Sequence, residues 1–241
     1  MKITLLKALN KARLEKSQIA LITNITDGHQ TLIIDGEIAD GDVSSSGLLK
    51  EATATVESDR SKIITVEDTK YFIHVFNPPK RMIIVGAVHI AQSLVPMAAI
   101  AGFDVTIIDP RGAFATVERF PGVMLCDEWP DEAMPKLNPD NRTAIVTLTH
   151  DPKIDDPALI AALRTNAFYI GSLGSRKTHA LRLQRLRQES LKDTDLERIH
   201  GPIGLNIGAI SQAEIAISIF CLLYTSPSPR DRTRSRMPSS A

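Results

Sequence analysis

The apolar positions of this chain fall into two regimes. Over residues 1–77 they switch between helical and extended spacing within short segments. That pattern predicts a helix over 3–14, strands over 18–25 and 30–34, a helix over 47–57, and a hairpin in which Ile63–Val66 and Tyr71–Phe76 flank a polar turn. Pro78 and Pro79 follow, and proline has no backbone N–H, so no strand ladder continues through them. The boundary between a small N-terminal α+β domain (1–77) and a second domain (80–220) is expected there.

Beyond the prolines, short apolar runs recur at Met82–Val85, Val105–Ile108, Val123–Leu125, Ala144–Leu148 and Phe168–Ile170, with helix-length segments between most of them. This alternation predicts an α/β domain, a Rossmann-like doubly wound parallel sheet with helices on both faces. The stretch Asp155-Asp156-Pro157 reads as a helix start, with an acid at the N-cap and proline at the first helical position. The apolar run Ala216–Tyr224 reads as a last helix. After it TSPSPRDRTRSRMPSSA, residues 225–241, has no hydrophobic periodicity, so it is expected to be disordered and reads as a non-native tail.

Charge and cysteine content narrow the class. Of 241 residues, 28 are Lys or Arg and 28 Asp or Glu; with the tail's four arginines and one aspartate set aside, 24 basic and 27 acidic residues remain. No polybasic footprint exists, which excludes nonspecific nucleic-acid binding. Cys126 and Cys221 are far apart and form no C-x-x-C, so neither a disulfide scaffold nor a structural zinc site is expected, and a reducing cytoplasm is the expected compartment. The N-terminal apolar residues are interrupted by Lys7, Lys11 and Arg13, unlike a signal peptide, and no apolar run is long enough to span a membrane.

In open parallel sheets ligands bind beyond the carboxyl ends of the strands. The residues that follow the predicted strands are therefore the candidates: Gly86 and His89; Asp109 and Arg111; His150 and Asp151; Gly171, Gly174, Ser175 and Arg176. The stretch MIIVGAVHIAQSLVPMAAIAGFDVTIID, residues 82–109, reads as strand, glycine turn, helix and a second strand ending on an acid, which is a nucleotide-binding half-unit. Its G-x-G-x-x-G/A positions are Gly86, Val88 and Ala91. A β-branched side chain at Val88 obstructs the close approach of a pyrophosphate, which disfavours NAD(P).

Asp109, 23 residues past Gly86, is either a ribose-hydroxyl acceptor or the cap of an Asp-Pro turn. Arg111 is either a phosphate clamp or a solvated charge. The loop 171–177 combines two glycines, a capping serine and the charge of Arg176. It is either an anion cradle or an ordinary strand-to-helix turn. His89 and His150 become proton carriers or ligand donors only if the fold brings them together. No Cys-His pair, H-E-x-x-H or serine elbow is present. No catalytic residue and no metal ligand are assigned, and a ligand-binding module is favoured over a self-contained catalyst.

Taken in order, IIVGAVHIAQ, DVTIIDPRGAFATVERFPGV, TLTHDPKIDDPAL, AFYIGSLGSRKTHALRLQRL and HGPIGLNIGAISQAEIAISI resemble the C-terminal Rossmann-type domain of the xanthine dehydrogenase accessory protein family, XdhC/CoxI, over residues 76–220. The resemblance implies a maturation factor for molybdenum hydroxylases. Such a factor binds the molybdenum cofactor (molybdopterin), protects it while a cysteine desulfurase supplies the sulfido ligand, and delivers it to a xanthine or CO dehydrogenase-type apoenzyme. It implies a homodimer as well.

Carried onto this chain, the ligand-facing set is Gly86, His89, Asp109, Arg111, His150, Asp151, Gly171, Gly174, Ser175 and Arg176, with Gly204, Asn206 and Gly208 extending it. Two departures stand out. Residues 1–77 hold no cysteine where the family has a glycine-rich, cysteine-containing segment, and Val88 replaces a glycine. An NAD(P)-dependent oxidoreductase and a ligand-free regulatory or scaffold protein are the alternatives.

Overall fold

A computed structural model describes residues 2–43, 45–189 and 191–225. The expected disordered tail lies, beyond Thr225, outside the described residues. The chain divides between Pro78 and Pro79 into two compact units.

The first unit runs α1 (Ile3–Leu14), β1 (Ile19–Asn24), β2 (Gln30–Ile34), β3 (Glu37–Asp40), α2 (Ser46–Glu57), β4 (Lys62–Val66) and β5 (Thr69–Phe76). Its sheet is antiparallel, in the order β3-β2-β1-β5-β4. One face buries Leu5, Leu9 and Ala12 of α1 against Ile19, Leu21 and Leu32. The other buries Leu48 and Ala52 of α2 against Ala20, Ile22 and Ile73. Central β1 is therefore apolar at every buried position, because both its faces are covered. Strand β3 is not anticipated by the hydrophobic pattern, since its Glu37–Asp40 positions are mostly exposed. A two-residue turn makes it: Asp35 and Gly36 have φ of +49° and +86°, the pair of positive values that a tight hairpin loop requires.

The second unit runs β6 (Lys80–Val85), α3 (His89–Ile100), β7 (Phe103–Ile108), β8 (Met124–Cys126), α4 (Pro130–Leu137), β9 (Thr143–Thr147), α5 (Pro152–Leu163), β10 (Tyr169–Ser172), α6 (Arg176–Arg187), α7 (Asp193–Leu196), β11 (Ile199–His200) and α8 (Gln212–Thr225). Its six-stranded sheet is parallel, in the order β11-β10-β9-β6-β7-β8. Helices α3 and α8 cover one face, where Leu94, Ala98 and Ile219 meet Met82, Ile84 and Val146. Helices α4, α5 and α6 cover the other, where Met134, Leu159 and Leu186 meet Ile83, Val85 and Ile145. This is the expected doubly wound α/β sheet. No described helix is long and apolar enough to cross a membrane.

One helix start differs from its expected position. Helix α5 begins at Pro152 with Asp151 as N-cap, accepting the N–H of Lys153 at 2.9 Å, so Asp155, Asp156 and Pro157 lie inside the helix. Both Asp-Pro sites satisfy the same local rule. The carboxyl end of β9 brings the chain to the first of them.

Candidate functional site

The backbone ladder of the parallel sheet continues past the strands and aligns their exits on one rim. Gly86 N–H donates to Ile108 O, Leu148 N–H to Val85 O, Leu173 N–H to Thr147 O, and Asp109 N–H to Cys126 O, at 2.8, 2.9, 2.9 and 2.9 Å. Strand β6 passes to β7 through α3 on one face, whereas β9 passes to β10 through α5 on the other. The winding therefore reverses between β6 and β9, and the starts of α3 and α5 flank the crevice where a doubly wound sheet takes its ligand. His89 opens α3 on one side of that crevice. Thr149, His150 and Asp151 lead into α5 on the other.

Gly86 is held by the crevice itself. Its φ is +111°, and a Cβ there would stand 2.6 Å from Cγ2 of Thr149. Glycine is needed because the β9 exit lies directly against this turn. Val88 is the N-cap of α3 in extended backbone (φ −84°, ψ 173°), and its side chain packs partly buried against the core beneath α3. It gives the helix no capping oxygen, so the first N–H groups of α3 receive no side-chain partner from it.

Asp109 departs from its ligand-facing assignment. Its side chain is fully buried, and its oxygens accept from Ala87 N–H at 2.8 Å, Arg111 N–H at 3.0 Å, Arg111 Nε at 2.9 Å and Arg111 Nη2 at 2.8 Å. Burial pushes the carboxyl up, but hydrogen bonds from the Arg111 side chain and from the Ala87 and Arg111 amides outweigh it and hold the group below the usual carboxylate range. With four donors on it and no exposed surface, Asp109 cannot also receive a ribose; it ties the glycine turn to the β7 exit. Arg111 is neither a free clamp nor merely solvated. Its guanidinium lies over Phe114, 4.6 Å from the ring centroid, and the charges of Asp151 and Asp155 reach it.

On the α5 side, exposed His150 turns the chain in the left-handed region, at φ +63°. Thr149 donates through Oγ1 to Asp155 Oδ1 at 2.7 Å, and the Asp151 N–H donates back to Thr149 Oγ1 at 3.1 Å. A cavity of about 220 Å³ opens between α5 and α6, lined among others by His150, Asp155, Lys177, Thr178, Arg182 and Arg185.

The loop into α6 has the form of a serine-capped strand-to-helix turn. Ser175 is the N-cap, its Oγ accepting the Thr178 N–H at 3.1 Å, and Gly174 sits at φ +146°. Arg176, exposed at the first helical position, is not among the residues lining the cavity; Lys177, one residue and about 100° further round the helix, is. Gly171 is internal. A Cβ on it would stand 2.5 Å from Ile203 Cδ1 and 2.9 Å from the Tyr169 ring, so close packing fixes it as glycine. Gly204 is likewise pressed against Ser218 of α8, while Asn206 and Gly208 are exposed in the loop before that helix.

The fold thus brings Gly86 and Thr149 into contact across the crevice, links Asp109 to Arg111, and places His150 with Lys177 and Arg182 around one cavity. His89 and Arg176 share the rim and stay exposed. The pattern reading counts Thr149 and Lys177 among the residues that follow the strands without carrying them into the ligand-facing set, reads Asp155 as part of a helix start, and passes over Arg182. A signal for Arg182 does exist: it lies four residues before Leu186, and the two are the buried residues of α6, so an arginine occupies the apolar stripe of an otherwise polar helix. Among the described residues, no group of three or more His, Cys, Asp or Glu is placed to hold a metal ion.

Comparison with known proteins follows the same geometry. Residues 82–221 match the family model described as the XdhC Rossmann domain. The chain is 31% identical over 144 residues to the molybdenum cofactor insertion chaperone PaoD of Escherichia coli, covering 60% of this chain and 39% of that protein. It is 31% identical over 154 residues to a probable xanthine dehydrogenase component of Bacillus subtilis, covering 64% and 44%. The chain therefore spans less than half the length of these relatives. A crystal structure of a xanthine dehydrogenase from Bacillus halodurans superposes with a TM-score of 0.71 at 24% identity, over 93% of this chain and 67% of that one, which establishes a shared fold.

Proposed function

Because the chain belongs to the XdhC Rossmann-domain family, we propose that it is a molybdenum-cofactor maturation factor. It takes the cofactor as cargo at the carboxyl rim of the parallel sheet and shelters it from water while a cysteine desulfurase supplies the sulfido ligand. It then passes the sulfurated cofactor to a xanthine or CO dehydrogenase-type apoenzyme. It works in the cytoplasm, pairs as a homodimer, and catalyses no redox reaction of its own.

The observation that carries this reading is the similarity to PaoD, a cofactor insertion chaperone by name, over 144 residues, beside the family match over residues 82–221, which hold the rim. The chemistry of the rim supports it. The cargo carries a phosphate and a polar pterin, and the crevice offers the starts of two helices, each positive at its N-terminus. Beside the start of α5, exposed His150 and Lys177 line the neighbouring cavity and offer donors, which suits an anionic, hydrogen-bonding ligand. Asp109, committed to Ala87 and Arg111, leaves the NAD(P) reading without its ribose acceptor.

The test is retention of cargo. Molybdopterin released from a denatured molybdoenzyme is mixed with the protein, separated by gel filtration, and quantified by its oxidised fluorescent derivative. Saturable co-elution is expected. Retention no greater than on an unrelated protein of similar size overturns the assignment.

A further inference from the structure

Arg182 is the most anomalous side chain in the second unit. It is 2% exposed, yet only Nη2 has a hydrogen-bond partner, donating to Leu173 O at 2.9 Å; Nε and Nη1 have none. The nearest carboxylate, Asp155, is 1% exposed and stands 3.6 Å from Nη2, and its own Oδ2 is also without a hydrogen-bond partner. A buried ion pair repays its desolvation only when the remaining donors and acceptors are satisfied. Here burial pushes the Asp155 carboxyl up and pulls the Arg182 guanidinium down, so the pair does not satisfy itself. An arginine cannot escape by losing its proton. The arrangement calls for an added acceptor.

The surroundings specify what kind. Arg182 and Asp155 both line the cavity between α5 and α6, beside Lys177 and Thr178. Helix α6 has twelve residues and no acid in its first turn; instead Arg176 and Lys177 stand there, where the helix dipole disfavours cations. Its first N–H groups have no intrahelical acceptor. Arg185, also on the lining, is already paired with Asp156 through Nε and Nη2, at 2.5 and 3.0 Å.

We propose that this cavity is a phosphate site, with Arg182 as its buried anchor and Lys177 as its outer cation. A phosphate oxygen accepts from Nη1 of Arg182 and from Lys177. The proton of a monoprotonated phosphate donates to Oδ2 of Asp155, which turns the carboxylate beside the anion from a repulsion into a hydrogen bond. Sulfate has the same shape and no such proton, so the site prefers phosphate.

The site rests on its own lining and stands whether or not the cargo reading holds. The full chain is titrated with inorganic phosphate and, separately, with sulfate by calorimetry, alongside Lys177→Glu and Arg182→Lys, with circular dichroism to establish that each variant is folded. Saturable phosphate binding, weaker for sulfate and weakened about tenfold or more in Lys177→Glu, is expected. Lys177 is exposed, so that variant reports even if Arg182→Lys does not fold.

No saturable heat at millimolar phosphate, or equal affinity in Lys177→Glu and wild type, overturns the site. Phosphate binding without molybdopterin retention supports the site and sinks the cargo reading alone. Molybdopterin retention with no phosphate binding does the reverse. Where both bind, competition identifies the occupant as the phosphate end of the cargo, and lack of competition as a separate phosphate.

Discussion

Arg111 closes a two-pronged fork on Asp109, the residue two before it, with Nε to Oδ1 at 2.9 Å and Nη2 to Oδ2 at 2.8 Å; the same carboxylate takes the Ala87 N–H of the glycine turn. The loop after β7 and the turn after β6 are thereby one structural unit. Asp109→Asn removes the charge and leaves a buried donor set poorly matched. A loss of about 2–3 kcal/mol in urea unfolding is expected, with little change in phosphate affinity, because Asp109 touches neither Lys177 nor Arg182.

Gly86→Ala is expected to destabilise the second unit by about 2–4 kcal/mol, since it combines φ +111° with a Cβ 2.6 Å from Thr149 Cγ2. Thr149→Ser removes that methyl group. The double variant is expected to recover part of the loss, and a double-mutant cycle measures how much of the cost is the clash and how much the backbone.

Stability is expected to fall on acidification in two windows. His179 and His200 are held neutral by burial, with Arg182 adding to the effect at His179. The unfolded imidazoles take up protons first, so the stability their neutrality provides is complete above pH 6.5 and is lost as the pH drops through their depressed folded values. Asp109 and Asp140 are held below the unfolded value of 3.8, so their contribution is present above it and is lost as the pH falls through the folded values. Urea midpoints measured against pH show both steps. His179→Gln is expected to flatten the first and leave the second.

NADH is not expected to bind saturably at micromolar concentrations, because the acid at the end of β7 is already committed to Arg111 and Ala87. Titration with NADH fluorescence as the signal checks this. A saturable enhancement would restore the oxidoreductase alternative.

The strands and most helices were readable because each is a local pattern with a single interpretation. Met82–Val85 is apolar at every position, and a run buried on both faces reads as such wherever it sits. Strand β3 was not readable from hydrophobicity, since an exposed edge strand has no apolar face; only the Asp35-Gly36 turn betrays it. The start of α5 had two locally equivalent solutions, Asp151-Pro152 and Asp156-Pro157, and strand register selected the first.

Side-chain roles behaved differently. Ser175 was legible as a cap because capping is a matter of three residues. Gly171 was indistinguishable in sequence from a ligand-cradling glycine, and the residues that fix it, Ile203 and Tyr169, come from other parts of the chain.

By itself the sequence determined the alternation of elements, the parallel sheet and the rim from which candidates come, because hydrophobic period, proline and glycine act over a few residues. Tertiary structure alone decided that Asp109 serves Arg111 instead of a ligand, that Lys177 and not Arg176 lines the cavity, and that Arg182 is buried with two nitrogens unmatched. Those outcomes depend on which distant groups share a small volume, and desolvation and hydrogen-bond competition are set by that volume and by no local pattern.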